Sequence, residues 1–113
     1  MALLLQRVSL GADAMSAREV LEIATLGGAA VLGRSDCGSI QVGKRGDVAV
    51  WDMSGVEAAG AWDPVAGLVM CGPSRVRDLV VEGRFVVRGG QVVTVDLPAV
   101  VARQRRLAAR LRG

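Results

Sequence analysis

Gly38-Ser39-Ile40-Gln41-Val42-Gly43-Lys44-Arg45-Gly46-Asp47-Val48-Ala49-Val50-Trp51-Asp52 is the stretch from which the rest of the chain is read. Two short apolar runs, Ser39 to Val42 and Asp47 to Trp51, flank Gly43-Lys44-Arg45-Gly46, whose glycines suit a tight reversal. The pattern predicts a hairpin. In its second strand Val48 and Val50 alternate with Ala49 and Trp51, so both faces are apolar and the strand is expected to be central and covered twice.

On the upstream side, Ser16-Ala17-Arg18-Glu19 has the spacing of a capping box, so a helix is expected from Ser16 through Leu32, closed by a left-handed Gly33. Gly27-Gly28 lowers helix propensity by about 1 kcal/mol each. The expected compensation is close approach of another backbone. Leu3-Leu4-Leu5 and Val8 predict a short helix before the chain loosens at Gly11-Ala12-Asp13.

Downstream, Met53 to Ala61 lacks a sustained period and reads as a loop, and Asp63-Pro64 as a turn. The apolar run Val65 to Cys71 fits a strand or a short helix equally well. Val76 to Val95 predicts a three-stranded meander with turns at Glu82-Gly83 and Arg88-Gly89-Gly90. Asp96 caps a last helix with Pro98 in its first turn, and Val100, Val101, Leu107, Ala108 and Leu111 recur at helical spacing.

Composition restricts what the chain can do. Of 113 residues 51% are apolar and 22% charged, which points to a folded chain rather than a disordered one. It contains no histidine. Cys37 and Cys71 alone fall short of a closed zinc site, and the motifs of a cytidine-type zinc deaminase are absent. The two thiols are expected to be small buried hydrophobes rather than a disulfide. Asp47, Asp52, Asp63 and Asp78 fall at strand ends or turns, where aspartate commonly accepts local hydrogen bonds. Gly43-Lys44-Arg45-Gly46 lacks the spacing of a phosphate loop. Trp51 and Trp62 are expected as core or interface anchors. No catalytic, cofactor-binding or metal-ligating residue is assigned in this chain.

Arg103, Arg105, Arg106, Arg110 and Arg112 make the last helix basic; the preceding residues carry 9 basic and 11 acidic groups, so the net charge of +3 is a local property. With 3% aromatic residues there is little to stack a base, and a nucleic-acid partner is not expected. Neither a secretory signal nor an apolar run of the ~18 residues needed to span a bilayer is found, so a cytoplasmic chain with no membrane partner is expected.

Gly38-Ser39-Ile40, Gly43-Lys44 and the Asp47 to Asp52 run, preceded by Ala24-Thr25, Gly28-Ala29 and Leu32-Gly33, resemble the segment that follows the barrel in the metal-dependent amidohydrolase superfamily. Asp63-Pro64-Val65-Ala66 and Cys71-Gly72-Pro73 are similar to its purine and triazine deaminase branch, the 8-oxoguanine deaminases above all. The resemblance implies an α+β chain: residues 1–35 as terminal helices of an otherwise absent (β/α)8 barrel, 36–96 as the C-terminal strands of a small composite β-sandwich, and 97–113 as a basic helix. A barrel alone takes roughly 250 residues. The resemblance therefore implies a catalytically incompetent portion of a hydrolase acting on non-peptide C–N bonds, with zinc or iron and a heterocyclic amine substrate only in the complete enzyme. Its implied partners are the rest of the barrel and the N-terminal strands, and a homo-oligomer is expected. The alternative is a free-standing β-rich interaction module whose basic helix binds an acidic partner.

Overall fold

The computed structural model describes residues 2–11, 13–71 and 75–112. It contains α1 (Ala2–Leu10), a continuous helical rod made of α2 (Ala17–Glu22), a π-helical turn (Ile23–Gly27) and α3 (Gly28–Val31), then β1 (Val48–Trp51), α4 (Pro64–Met70), β2 (Val76–Val81), β3 (Arg84–Arg88), β4 (Gln91–Val92) and α5 (Leu97–Leu111). This is a mixed helix and antiparallel-sheet architecture.

The rod begins and ends as its residues dictate. Glu19 N–H donates to the Ser16 hydroxyl at 3.2 Å, and Ser16 N–H donates to the Glu19 carboxylate at 2.7 Å. At the other end Gly33 has φ +66°, Gly33 N–H reaches the Ala30 carbonyl, and Arg34 N–H reaches that of Ala29. Together these form a Schellman motif. Midway, the Gly28 amide donates to the Ile23 carbonyl, while the Thr25 hydroxyl takes the Leu21 carbonyl at 2.7 Å. The widened turn thus coincides with a back-bonding threonine and a glycine pair of low helix propensity.

The close approach expected at Gly27-Gly28 occurs elsewhere. A Cβ at Gly28 would meet nothing within 4 Å, and one at Gly27 only its own helix. The approaching backbone is that of Gly38, whose φ is +84° and whose added Cβ would stand 3.0 Å from the Thr25 carbonyl oxygen.

The hairpin expected from Ser39 to Trp51 does not form. Arg45 N–H donates to the Asp36 carbonyl at 2.8 Å and Lys44 N–H to that of Gln41 at 3.1 Å, closing 36–45 into turns. Ile40 is 84% exposed and Val42 wholly so. β1 pairs instead with β2, in the register Val48↔Val80, Ala49↔Leu79 and Val50↔Asp78, with a bulge before Trp51↔Val76. The sheet order is β1-β2-β3-β4, which makes β1 an edge strand and not a central one; its four residues are each half-buried.

The meander follows the sequence expectation. Glu82 (φ 50°) and Gly83 (φ 77°) both adopt the left-handed conformations of a type I′ turn, as do Gly89 and Gly90 after them. Val65 to Met70 resolves as helix because Asp63 caps it, accepting from Val65 N–H at 2.9 Å, with Pro64 in the first turn. α4 packs on α2, and at Gly67 it lies against the segment before it, where an added Cβ would stand 3.0 Å from the side chains of both Ala61 and Met53. Asp96 caps α5 through Ala99 N–H at 3.1 Å.

Little of this is enclosed. Among the described residues the buried apolar side chains are Ala17, Ala29 and Val87. The chain exposes 9003 Å², whereas a folded monomer of 11.7 kDa exposes about 5,900 Å². Its radius of gyration is 18.0 Å against about 13 Å for a compact domain of this length.

Candidate functional site

The four aspartates singled out in the sequence do not converge. Asp47 accepts from Glu82 N–H at 2.7 Å, and Asp52 from both the amide and the hydroxyl of Ser54 at 2.9 and 2.6 Å. Asp63 holds the α4 cap and pairs with Arg18 at 3.1 Å. Asp78 accepts from Gly89 N–H at 2.9 Å and from Arg77 Nε at 2.7 Å. Each stabilises a turn or a helix start, as its position implied.

The electrostatics agree with that role. Hydrogen bonds from Ser54 hold the Asp52 carboxyl below its ordinary range, and the Gly89 amide, followed by Arg77, does the same for Asp78. The Ser16 amide and hydroxyl lower Glu19. All three shifts favour the ionised acceptor, the opposite of what a general acid at neutral pH requires.

A tighter polar cluster lies where the sequence carried no motif. Asp36 accepts from Arg34 through both oxygens, at 2.9 and 2.8 Å, and from Arg45 Nε at 2.9 Å. Arg45 also pairs with Glu82. Arg34 first and Arg45 second hold the Asp36 carboxyl far below the usual range, and Asp36 in turn raises Arg34. Gly83 N–H donates to the Gly46 carbonyl at 3.2 Å, so this cluster docks the β2–β3 turn on the segment before β1. The sequence reading did not single out this cluster, and no spacing rule connects Arg34, Asp36 and Arg45 to Glu82.

Lys44 Nζ donates to the Ser39 hydroxyl at 2.6 Å and is half-buried, a turn brace rather than an exposed phosphate ligand. Cys37 is half-buried and Cys71 exposed, both as free thiols, which corrects the expectation that both are buried. Trp51 is half-buried in β1, whereas Trp62 is fully exposed and belongs to no core within this chain. Of the segment Cys71-Gly72-Pro73, Gly72 and Pro73 lie outside the described residues.

Two grooves of comparable size occur. One, of about 520 Å³, runs between the 17–31 rod and β1 and is lined chiefly by apolar side chains, among them Leu21, Leu32, Ile40, Val48 and Trp51. The other, of about 510 Å³, is more polar, with Asp52, Glu57, Cys71 and Arg75 at its wall. Among the described residues no group of three or more histidine, cysteine or acidic side chains is placed to hold a metal ion. No described helix is long and apolar enough to cross a membrane. Among the described residues the polar side chains brace turns and helix starts, and the grooves offer apolar faces.

Comparison with known proteins supplies the family. The model of the Amidohydrolase family matches residues 1–88. The chain is 37% identical over 110 residues to 8-oxoguanine deaminase of Pseudomonas aeruginosa, covering 97% of this chain and 24% of that protein. It is 42% identical over 113 residues to a 5-methylthioadenosine/S-adenosylhomocysteine deaminase of Desulforudis audaxviator, covering 97% and 26%. In structure it matches an adenosine deaminase from Xanthomonas campestris with bound zinc at a TM-score of 0.87 and 33% identity, over 98% of this chain and 26% of that one. The chain spans about a quarter of the length of these relatives. Matched along most of its length by the family and by relatives named as deaminases, this chain belongs to the amidohydrolase family.

Proposed function

We propose that this chain is the C-terminal portion of an amidohydrolase that deaminates an aminopurine such as 8-oxoguanine or a related heterocycle. Water adds to the amine-bearing ring carbon and ammonia leaves. The observation that carries the chemistry is the 37% identity with 8-oxoguanine deaminase along nearly the whole chain. In this reading residues 1–35 are terminal helices of the barrel, 36–96 the C-terminal strands of a composite β-sandwich, and 97–113 a basic appendage, in a cytoplasmic enzyme.

A zinc or iron ion is implied for the complete enzyme, but the donors present do not fit one: histidine is absent and the aspartates are dispersed on turns. No step of the reaction is therefore assigned to residues of this chain. Its part is architectural. The excess of exposed surface, about 3,100 Å² over that of a closed monomer of equal mass, supports a chain whose apolar faces are covered by other parts of a larger enzyme. The open edge of β1 and the apolar groove beside it are the surfaces that the missing strands and barrel would cover.

The test is to express the natural reading frame that contains this chain, if it extends beyond it, and follow ammonia release from 8-oxoguanine, guanine, 5′-deoxyadenosine and aminotriazines. Preference for the oxidised purine supports the assignment; no turnover of any of them overturns it. A second reading, a free-standing module whose basic helix binds an acidic partner, is favoured by α5, none of whose residues is buried. A natural polypeptide with the mass of this chain alone would select it.

A further inference from the structure

The exposed amphipathic helix α5 has a counterpart on the same chain. At helical spacing Leu97, Val100, Val101, Leu107 and Leu111 form one apolar stripe, all between 41% and 89% exposed. Arg103 and Arg110 border it on one side, Arg105 and Arg112 on the other, and residues 97–112 contain no acidic group. Two α5 helices therefore repel each other. Such a stripe suits an apolar groove rimmed with carboxylates.

The outer face of the 17–31 rod offers one. A groove of about 360 Å³ is lined by Met15, Glu19, Glu22, Ile23, Leu26 and Gly27. Ile23 is 52% and Leu26 44% exposed, and Glu19, Glu22, Ile23 and Leu26 fall on one helical face. The nearby cations are engaged: Arg7 donates to the Met15 carbonyl at 3.1 Å and Arg18 pairs with Asp63. Within one copy α5 makes no extensive contact with this rod.

We propose that α5 of one copy of this chain lies in the Met15–Ile23–Leu26 groove of a second copy, its bordering arginines against Glu19 and Glu22, and that the exchange is reciprocal. Charge complementarity is the argument: the segment before α5 carries 9 basic and 11 acidic residues while α5 and its cap residue Arg112 carry five arginines. A reciprocal exchange uses the same pair of surfaces twice, as a two-fold dimer requires. The surfaces are distinct from the β1 edge and from the groove beneath it, so the proposal does not depend on the reaction assigned above.

A charge swap tests it on the full chain. Glu22→Arg alters the groove and Arg103→Glu with Arg110→Glu alters the helix, all at exposed positions. Each variant alone is expected to self-associate about tenfold more weakly than the wild type by sedimentation equilibrium. Mixed in equal amounts, the two are expected to form a complex with each other in large excess over the random proportion, read by native mass spectrometry. A random mixture, or wild-type chains that stay monomeric, overturns the proposal. Wild-type association is also expected to weaken as salt rises to about 0.5 M, where surface charges are screened; a response that is flat or opposite in sign counts against it without any substitution. Wild-type monomers that instead bind phosphatidylserine vesicles would place α5 on a lipid surface and overturn it equally.

Discussion

Gly38 lies against Ala29 so closely that a Cβ added to the glycine would stand 2.9 Å from the Ala29 Cβ, with the Thr25 carbonyl oxygen and the Leu26 Cα only slightly farther. This contact seats the loop after the helical rod on the rod itself, at a φ of +84° that only glycine adopts freely. Gly38→Ala is expected to cost about 2–4 kcal/mol, from backbone strain together with overpacking against main-chain atoms. Gly28→Ala, on a helical backbone with open space around it, is expected to stabilise by about 0.5–1 kcal/mol. Thermal unfolding of the two variants checks the pair, and equal melting temperatures would contradict the seating of the loop.

The Asp36 cluster predicts an acid limb in stability. Its carboxyl is depressed in the folded chain by Arg34 and Arg45, so the contribution is complete above the unfolded-state value near ~3.9 and is lost as pH falls below it. Urea unfolding at a series of pH values is expected to give a plateau from about pH 5 to 7 and a decline beneath pH 4. Asp36→Asn should lower the plateau and flatten part of the decline. An unchanged acid limb in that variant would assign the titration to other carboxylates.

Register between β1 and β2 places Val50 opposite Asp78. Val50→Asp would set two carboxylates across from each other on a half-buried strand, at a cost of about 1–3 kcal/mol. Val50→Lys, facing the same aspartate with opposite charge, is expected to lose less. Lys44→Ala removes one hydrogen bond to Ser39 and should cost about 0.5–1.5 kcal/mol. If the aspartate and lysine variants at position 50 melt together, this register is wrong.

Purified alone, the chain is expected to carry only substoichiometric zinc or iron and to release no ammonia from guanine, 8-oxoguanine or aminotriazines. The basis is its lack of histidine and the dispersal of its aspartates. Elemental analysis with an ammonia assay checks both halves. Turnover that survives removal of trace host deaminase would show a site built from other donors.

Much of the architecture was legible because it rests on contacts among residues a few positions apart. Ser16 and Glu19 meet across one helical turn, Gly33 closes the rod with its own last carbonyls, Glu82-Gly83 and Gly89-Gly90 reverse the meander, and Asp96 caps α5. What neighbouring residues could not decide was partnership. Val48 to Trp51 reads as a strand by itself, but its mate could be Ser39 to Val42 or Val76 to Val81, and the turns closed by Arg45 and Asp36 remove the first. The apolar run after Pro64 became a helix through the Asp63 cap and its packing on α2, not through its period. Gly27-Gly28 predicted a close approach at the pair itself, and it occurs instead at Thr25, Leu26 and Ala29, against Gly38. Backbone hydrogen bonds within a turn are set by local geometry, whereas the choice of strand mate and of packing surface is made by residues distant in sequence, so it emerges only in the folded chain.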